Sequence, residues 1–74
     1  MQWKNWIENE LKTRGMSKTE LGRRAGITKQ AVWGLVNREK PPFRCFVYLA
    51  VCLGIETTYD GYKDIYSKIK EETK

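Results

Sequence analysis

The stretch from Ser17 to Asn37, SKTELGRRAGITKQAVWGLVN, constrains this chain most, because it starts, stops and restarts a helix over a very short distance. Ser17 followed by Glu20 has the spacing of a capping box, in which the serine oxygen accepts an early backbone N–H and the glutamate reaches back to the cap. A helix is therefore predicted from about Lys18, carrying Leu21 and Ala25 inward at i and i+4. Gly26 ends it, since glycine enters the left-handed region at least steric cost. Thr28 can then cap a second helix at once. Only Gly26 and Ile27 lie between the two signals, too few for an antiparallel reversal, so the helices are expected to cross steeply with Ile27 pinning the angle.

In the second helix Val32, Leu35 and Val36 recur at i, i+3 and i+4 and form one apolar face. The opposite face carries Lys29, Gln30, Trp33, Gly34 and Asn37. An amide, a cation and an aromatic ring near the start of an exposed helix suit base edges: glutamine bonds adenine twice, lysine reaches guanine, and a ring touches a thymine methyl.

The net charge of +5 is unevenly placed. Nine basic residues (Lys12, Arg14, Lys18, Arg23, Arg24, Lys29, Arg38, Lys40 and Arg44) stand in the span 12–44 against Glu20 and Glu39 alone. The first eleven residues and the tail from Ile55 are each net acidic by one. A surplus confined to the paired helices and their flanks is what phosphate binding needs, because each neutralised phosphate releases condensed counterions. The alternative is a solvated charged face.

Other classes fit poorly. The chain has 74 residues, enough for one domain of thin stability and too few for a catalytic domain beside a scaffold. It contains no histidine, no CxxC, no phosphate-cradling glycine loop and no carboxylate pair set in an apolar pocket, so neither an enzyme nor a metal or cofactor site is expected. Asp60 and Asp64 sit among lysines and are read as surface residues. Cys45 and Cys52 are separated by about 10 Å along one predicted helix, beyond disulfide reach. They are read as reduced packing residues. No leader is evident and the apolar run from Phe46 to Leu53 is far too short to span a bilayer, so a cytoplasmic location is expected.

A first helix is predicted from about Gln2 to Arg14, with Trp3, Ile7 and Leu11 four apart, Trp6 widening the stripe and Gly15 stopping it. Lys4, Glu8 and Lys12 would form i,i+4 pairs outside. After the polar loop Asn37 to Pro42, a fourth helix is predicted from about Phe43 to Leu53, ending at Gly54. It is apolar on two sides: Phe43, Phe46, Val47, Ala50 and Leu53 on one, Cys45, Leu49 and Cys52 on the other. A fifth helix, about residues 60–72, carries Tyr62, Ile65, Tyr66 and Ile69 as its stripe. That stripe and the cysteine stripe serve either to close the fold or to form a two-fold dimer contact.

From Gly15 to Ile55 the chain resembles the helix-turn-helix family of phage Cro and CI repressors, also called the XRE family. The resemblance rests on Leu21, Ala25, Gly26, Ile27, Thr28, Val32 and Leu35, then Pro41, Leu49, Ala50, Leu53 and Gly54. It implies an all-α, compact five-helix, lambda-repressor-like domain with the helix-turn-helix as helices two and three. It also implies phosphate clasps at Lys18 and Arg44, base reading from the positions of Lys29, Gln30, Trp33 and Gly34, and a place for Thr28 close to the sugar-phosphate edge. Val36 departs from the glutamate many members carry, and Arg38 from a common glycine. The exit turn is thus expected to differ, with Asn37 a candidate for the left-handed conformation. Gly34 offers no side chain at a base-reading position.

Together these features predict a sequence-specific double-stranded DNA-binding regulator, a Cro-like repressor of a phage or mobile element, acting as a homodimer on half-sites about 34 Å apart. Specificity is assigned to Lys29, Gln30 and Trp33; affinity to Lys18, Arg23, Arg38, Lys40 and Arg44, with Thr28 and Asn37 beside the backbone. Trp33 either faces DNA or tucks against Arg38 or the following loop. The rival is a protein-interaction module, such as an antitoxin or anti-repressor, gripping its partner with helices four and five. A nucleoid-type or RNA-binding role is a further alternative.

Overall fold

The computed structural model describes residues 2–69, and within them lie five helices: α1 (Trp3–Thr13), α2 (Lys18–Ala25), α3 (Lys29–Asn37), α4 (Phe43–Leu53) and α5 (Tyr59–Lys68). Their limits follow from local chemistry. Ser17 Oγ accepts the N–H of Glu20, Thr28 Oγ1 that of Ala31, and Thr58 Oγ1 that of Gly61. Each hydroxyl satisfies one of the orphan donors at a helix start. At the other end of α2, Gly26 takes φ +73°, which lets its own N–H reach Arg23 O and the N–H of Ile27 reach Gly22 O at 2.9 Å. This double closure is the Schellman arrangement, and it turns the following apolar residue back onto the core. The same closure ends α1 at Gly15 with Met16 and α4 at Gly54 with Ile55.

The core draws on α1 to α4 and on the residue that follows α5, with half-buried residues of α5 packed against it. Trp3, Ile7 and Leu11 of α1 meet Leu21 of α2, Val32 and Val36 of α3, and Phe46, Leu49, Ala50 and Leu53 of α4, with Ile69 completing it. α2 packs on α3 and α4, α1 on α3, and α5 on α4. Rings fill the space between α1, α4 and α5: Phe46 lies 5.4 Å from Trp6 and 5.1 Å from Tyr66, centroid to centroid. Polar ends of these large side chains are satisfied by main-chain carbonyls. Trp3 Nε1 donates to Leu35 O at 2.8 Å, Tyr62 Oη to Ile55 O at 2.7 Å, Tyr66 Oη to Pro41 O and Tyr48 Oη to Ala25 O. Aromatic residues thereby contribute apolar area without stranding a donor.

Several expectations change. Glu20 does not reach back to Ser17; its carboxylate pairs with Arg24 at 3.2 Å and Arg23 at 3.5 Å, so only half of the capping box forms. Glu8 pairs not with Lys4 or Lys12 but with Lys18, at 3.4 Å, because α2 brings a cation from another helix alongside it. Asn37 is not left-handed: no non-glycine residue described has positive φ, and α3 leaves through an extended Arg38, φ −88° and ψ 178°. Leu49 is only 2% exposed and Ile69 1%, so both belong to the core and are covered within one chain. Tyr62, Ile65 and Tyr66 are half-buried against that core, so α5 folds back over α4. Residues 70–72 of the anticipated last helix lie outside the described residues. Cys45 and Cys52 are free thiols, half-buried at the edge of the core.

Candidate nucleic-acid interface

The surface of interest is built around α3. Burial of Val32 and Val36 fixes its inward face, so helical geometry turns Lys29, Gln30, Trp33 and Asn37 outward, and all four are exposed. Gly34 is partly covered, yet a Cβ built there would meet nothing within 4 Å. Trp33 is 47% exposed. Its ring lies beneath the Lys18 ammonium, 4.3 Å from nitrogen to centroid.

At the N-terminal end of α3 a cleft of about 450 Å³ opens between α1, α2 and α3. Lys12, Lys18, Lys29, Ser17, Thr19 and Trp33 line it, with Glu8 as the single carboxylate among the described residues. Arg23 and Arg24 sit on the last turn of α2, just before the turn into α3, where both pair with Glu20. Beyond the C-terminal end of α3 come Arg38, Lys40 and Arg44. Since α3 is only about 12 Å long at about 1.5 Å per residue, these cations bracket a short exposed helix at both ends. Lys29, Arg38 and Arg44 make no ion pair among the described residues, so their charge is directed to solvent.

Other expected contacts are partly engaged within the chain. Thr28 Oγ1 caps α3. Asn37 Nδ2 donates to Trp33 O at 3.0 Å. Lys40 is half-buried with its ammonium 3.9 Å above the Tyr66 ring, and the hydroxyl of that ring holds Pro41 O, so α5 steadies the loop that bears Arg38 and Lys40. Burial pushes the Cys52 thiol up from its ordinary pKa, and nearby Arg24 partly offsets the effect.

Sequence reasoning missed Glu8, Lys12 and Thr19 as members of this surface. The only trace was that Glu8 and Lys12 flank Leu11 on the border of the buried stripe of α1, where a neighbouring helix meets an amphipathic one. Away from α3, Tyr48 and Val51 on α4 and Tyr59 on α5 are large apolar side chains left exposed, at 53%, 56% and 66%. Phe43, Arg44, Val47 and Tyr59 frame a second depression of about 390 Å³.

Among the described residues no cluster of three metal-ligating side chains occurs, and no helix is long and apolar enough to cross a membrane. In comparison with known proteins, no family model, no curated protein and no solved structure matches the chain.

Proposed function

We propose that this chain is a sequence-specific double-stranded DNA-binding regulator of the Cro/CI type, in which α2 and α3 form a lambda-repressor-like helix-turn-helix and α3 enters the major groove. The observation that carries the reading is the exposed Lys29, Gln30, Trp33 face of a short helix, entered through the Gly26 turn and followed by the exposed Arg38 and Arg44, unpaired among the described residues. Lys29 and Gln30 read base edges through hydrogen bonds, and Trp33 supplies apolar contact. Arg38 and Arg44 contact phosphates and set affinity and register. The molecule measures 32 × 26 × 21 Å, so two copies side by side can present their α3 helices about one turn of duplex, roughly 34 Å, apart. Action as a homodimeric repressor on a palindromic operator belongs to this proposal and is compatible with that size.

The test is selection of bound sites from a random duplex library at about 150 mM salt, near physiological ionic strength. A palindromic motif with two half-sites is the expected result. No enrichment over random duplex refutes sequence-specific recognition. The exposed Tyr48, Val51 and Tyr59 support a second reading, a protein-interaction module of antitoxin or anti-repressor type. Salt separates the two: DNA binding through several phosphates weakens steeply with log salt, whereas an apolar interface does not.

A further inference from the structure

The cleft beside α3 contains an anion already, the protein's own. Glu8 Oε2 lies 3.4 Å from Lys18 Nζ, and the same ammonium rests on the Trp33 ring. Lys12 and Lys29 line the walls, and the hydroxyl-bearing Ser17 and Thr19 lie at the start of α2. With three ammonium groups and one carboxylate among the described residues, the cleft keeps an excess of two positive charges from them. Its flat indole offers a surface for a sugar ring. Lys29 and Trp33 belong both to this cleft and to the outward face of α3, so a duplex engaged by α3 continues into it.

We propose that this cleft receives one backbone phosphodiester of the bound duplex with its deoxyribose, and that Glu8 is a built-in competitor for that phosphate. The inference rests on the DNA-binding reading above. In the free protein the Glu8 carboxylate holds Lys18 over Trp33. On the duplex a phosphate takes the place of the carboxylate at Lys18, the deoxyribose packs on the indole, and Glu8 turns to solvent, which its half-exposed position on α1 permits. Glu8 thus lowers affinity for all duplexes alike and leaves discrimination between them to the base contacts of Gln30 and Lys29, because backbone contacts carry no sequence information.

The experiment measures duplex affinity from 50 to 300 mM salt for the wild type, Glu8→Gln, Lys18→Gln, the double variant, and Glu56→Gln as a control of equal charge change in the α4–α5 connection. A partly exposed ion pair is worth up to about 1 kcal/mol. Freeing Lys18 is therefore expected to tighten binding about 2- to 5-fold and to steepen the salt slope by about one phosphate contact. Glu56→Gln should gain clearly less, and the Glu8→Gln gain should vanish when Lys18 is also replaced. A Glu8→Gln gain no larger than that of Glu56→Gln, or one that survives Lys18→Gln, overturns the competitor role while leaving DNA binding intact. Failure of every protein, the wild type included, to bind any duplex overturns both readings.

Discussion

Two glycines, each inside a helix, should respond in opposite directions to the same substitution, and the difference isolates what sets the angle between α2 and α3. Replacing a helix-interior glycine by alanine gains about 1 kcal/mol from helix propensity alone. At Gly34 nothing lies within 4 Å of the added Cβ, so Gly34→Ala should gain that amount in full. At Gly22 the Cβ falls 2.9 Å from Ile27 O and 3.2 Å from Val32 Cγ2. Ile27 O is main chain and cannot rotate away. Either the turn at residues 26–28 moves or α3 is pushed off α2, and overpacking of this kind costs about 1 to 3 kcal/mol. Propensity cancels between the variants, leaving the clash as the difference. Domains of this size shift by about 4 to 8 °C per kcal/mol, so the two melting temperatures should separate by at least about 4 °C, with Gly34→Ala above the wild type and Gly22→Ala at or below it. Thermal unfolding followed by circular dichroism reads this directly. Equal shifts in both variants would refute the argument that close helix approach at Gly22 fixes the crossing.

Three further outcomes are expected. On a selected cognate site Gln30→Ala should lose about 1 to 3 kcal/mol and on random duplex almost nothing, whereas Arg44→Ala should weaken both; equal losses on the two DNAs for Gln30→Ala would show that it is no base reader. Leu49→Ala removes a fully packed side chain and should cost about 2 to 5 kcal/mol of stability independent of protein concentration, while Val51→Ala should stay within about 0.5 kcal/mol, both measured by urea unfolding at two concentrations. In a Cys45→Ser background, Cys52 should react with a thiol reagent at pH 8 more slowly in the folded than in the urea-unfolded chain, because its folded pKa is raised and less thiolate is present. For the same reason, its contribution to stability is full below the unfolded pKa and is lost as pH rises through the folded one, which alkaline unfolding curves of Cys52→Ala against Cys52 would reveal.

The local parts of the fold were legible because they depend on residues within one or two turns of each other. Ser17 and Thr28 cap through their own third neighbours, and Gly26 closes α2 through carbonyls three and four residues back. Periodicity likewise placed Trp3, Ile7, Leu11, Val32 and Val36 inside. Where it left a choice open or missed a partner, packing or a competing cation decided. Leu49 read as part of a second apolar stripe whose cover, the fold itself or a second copy, periodicity left open, and the packing of α4 against its neighbours decided it. Glu20 and Glu8 both had plausible local partners, yet one took two arginines on the next turn and the other a lysine on a different helix.

The sequence by itself determined most of the elements: where the first four helices start and stop, which face of each is apolar, and that α3 carries an amide, a cation and an indole on its far side, while the end of α5 at Lys68, before Ile69, was not foreseen. Tertiary structure decided what those side chains do once folded. It laid Lys18 over Trp33 across a separation invisible to any helical period, set Lys40 on Tyr66, and drew Lys12 and Glu8 of α1 to the mouth of the cleft beside α3. The reason is the range of the forces. Caps and helical faces follow from backbone hydrogen bonds and side-chain spacing over a few residues, whereas the partner of a charge or a ring is whatever the packing of helices brings within about 4 Å.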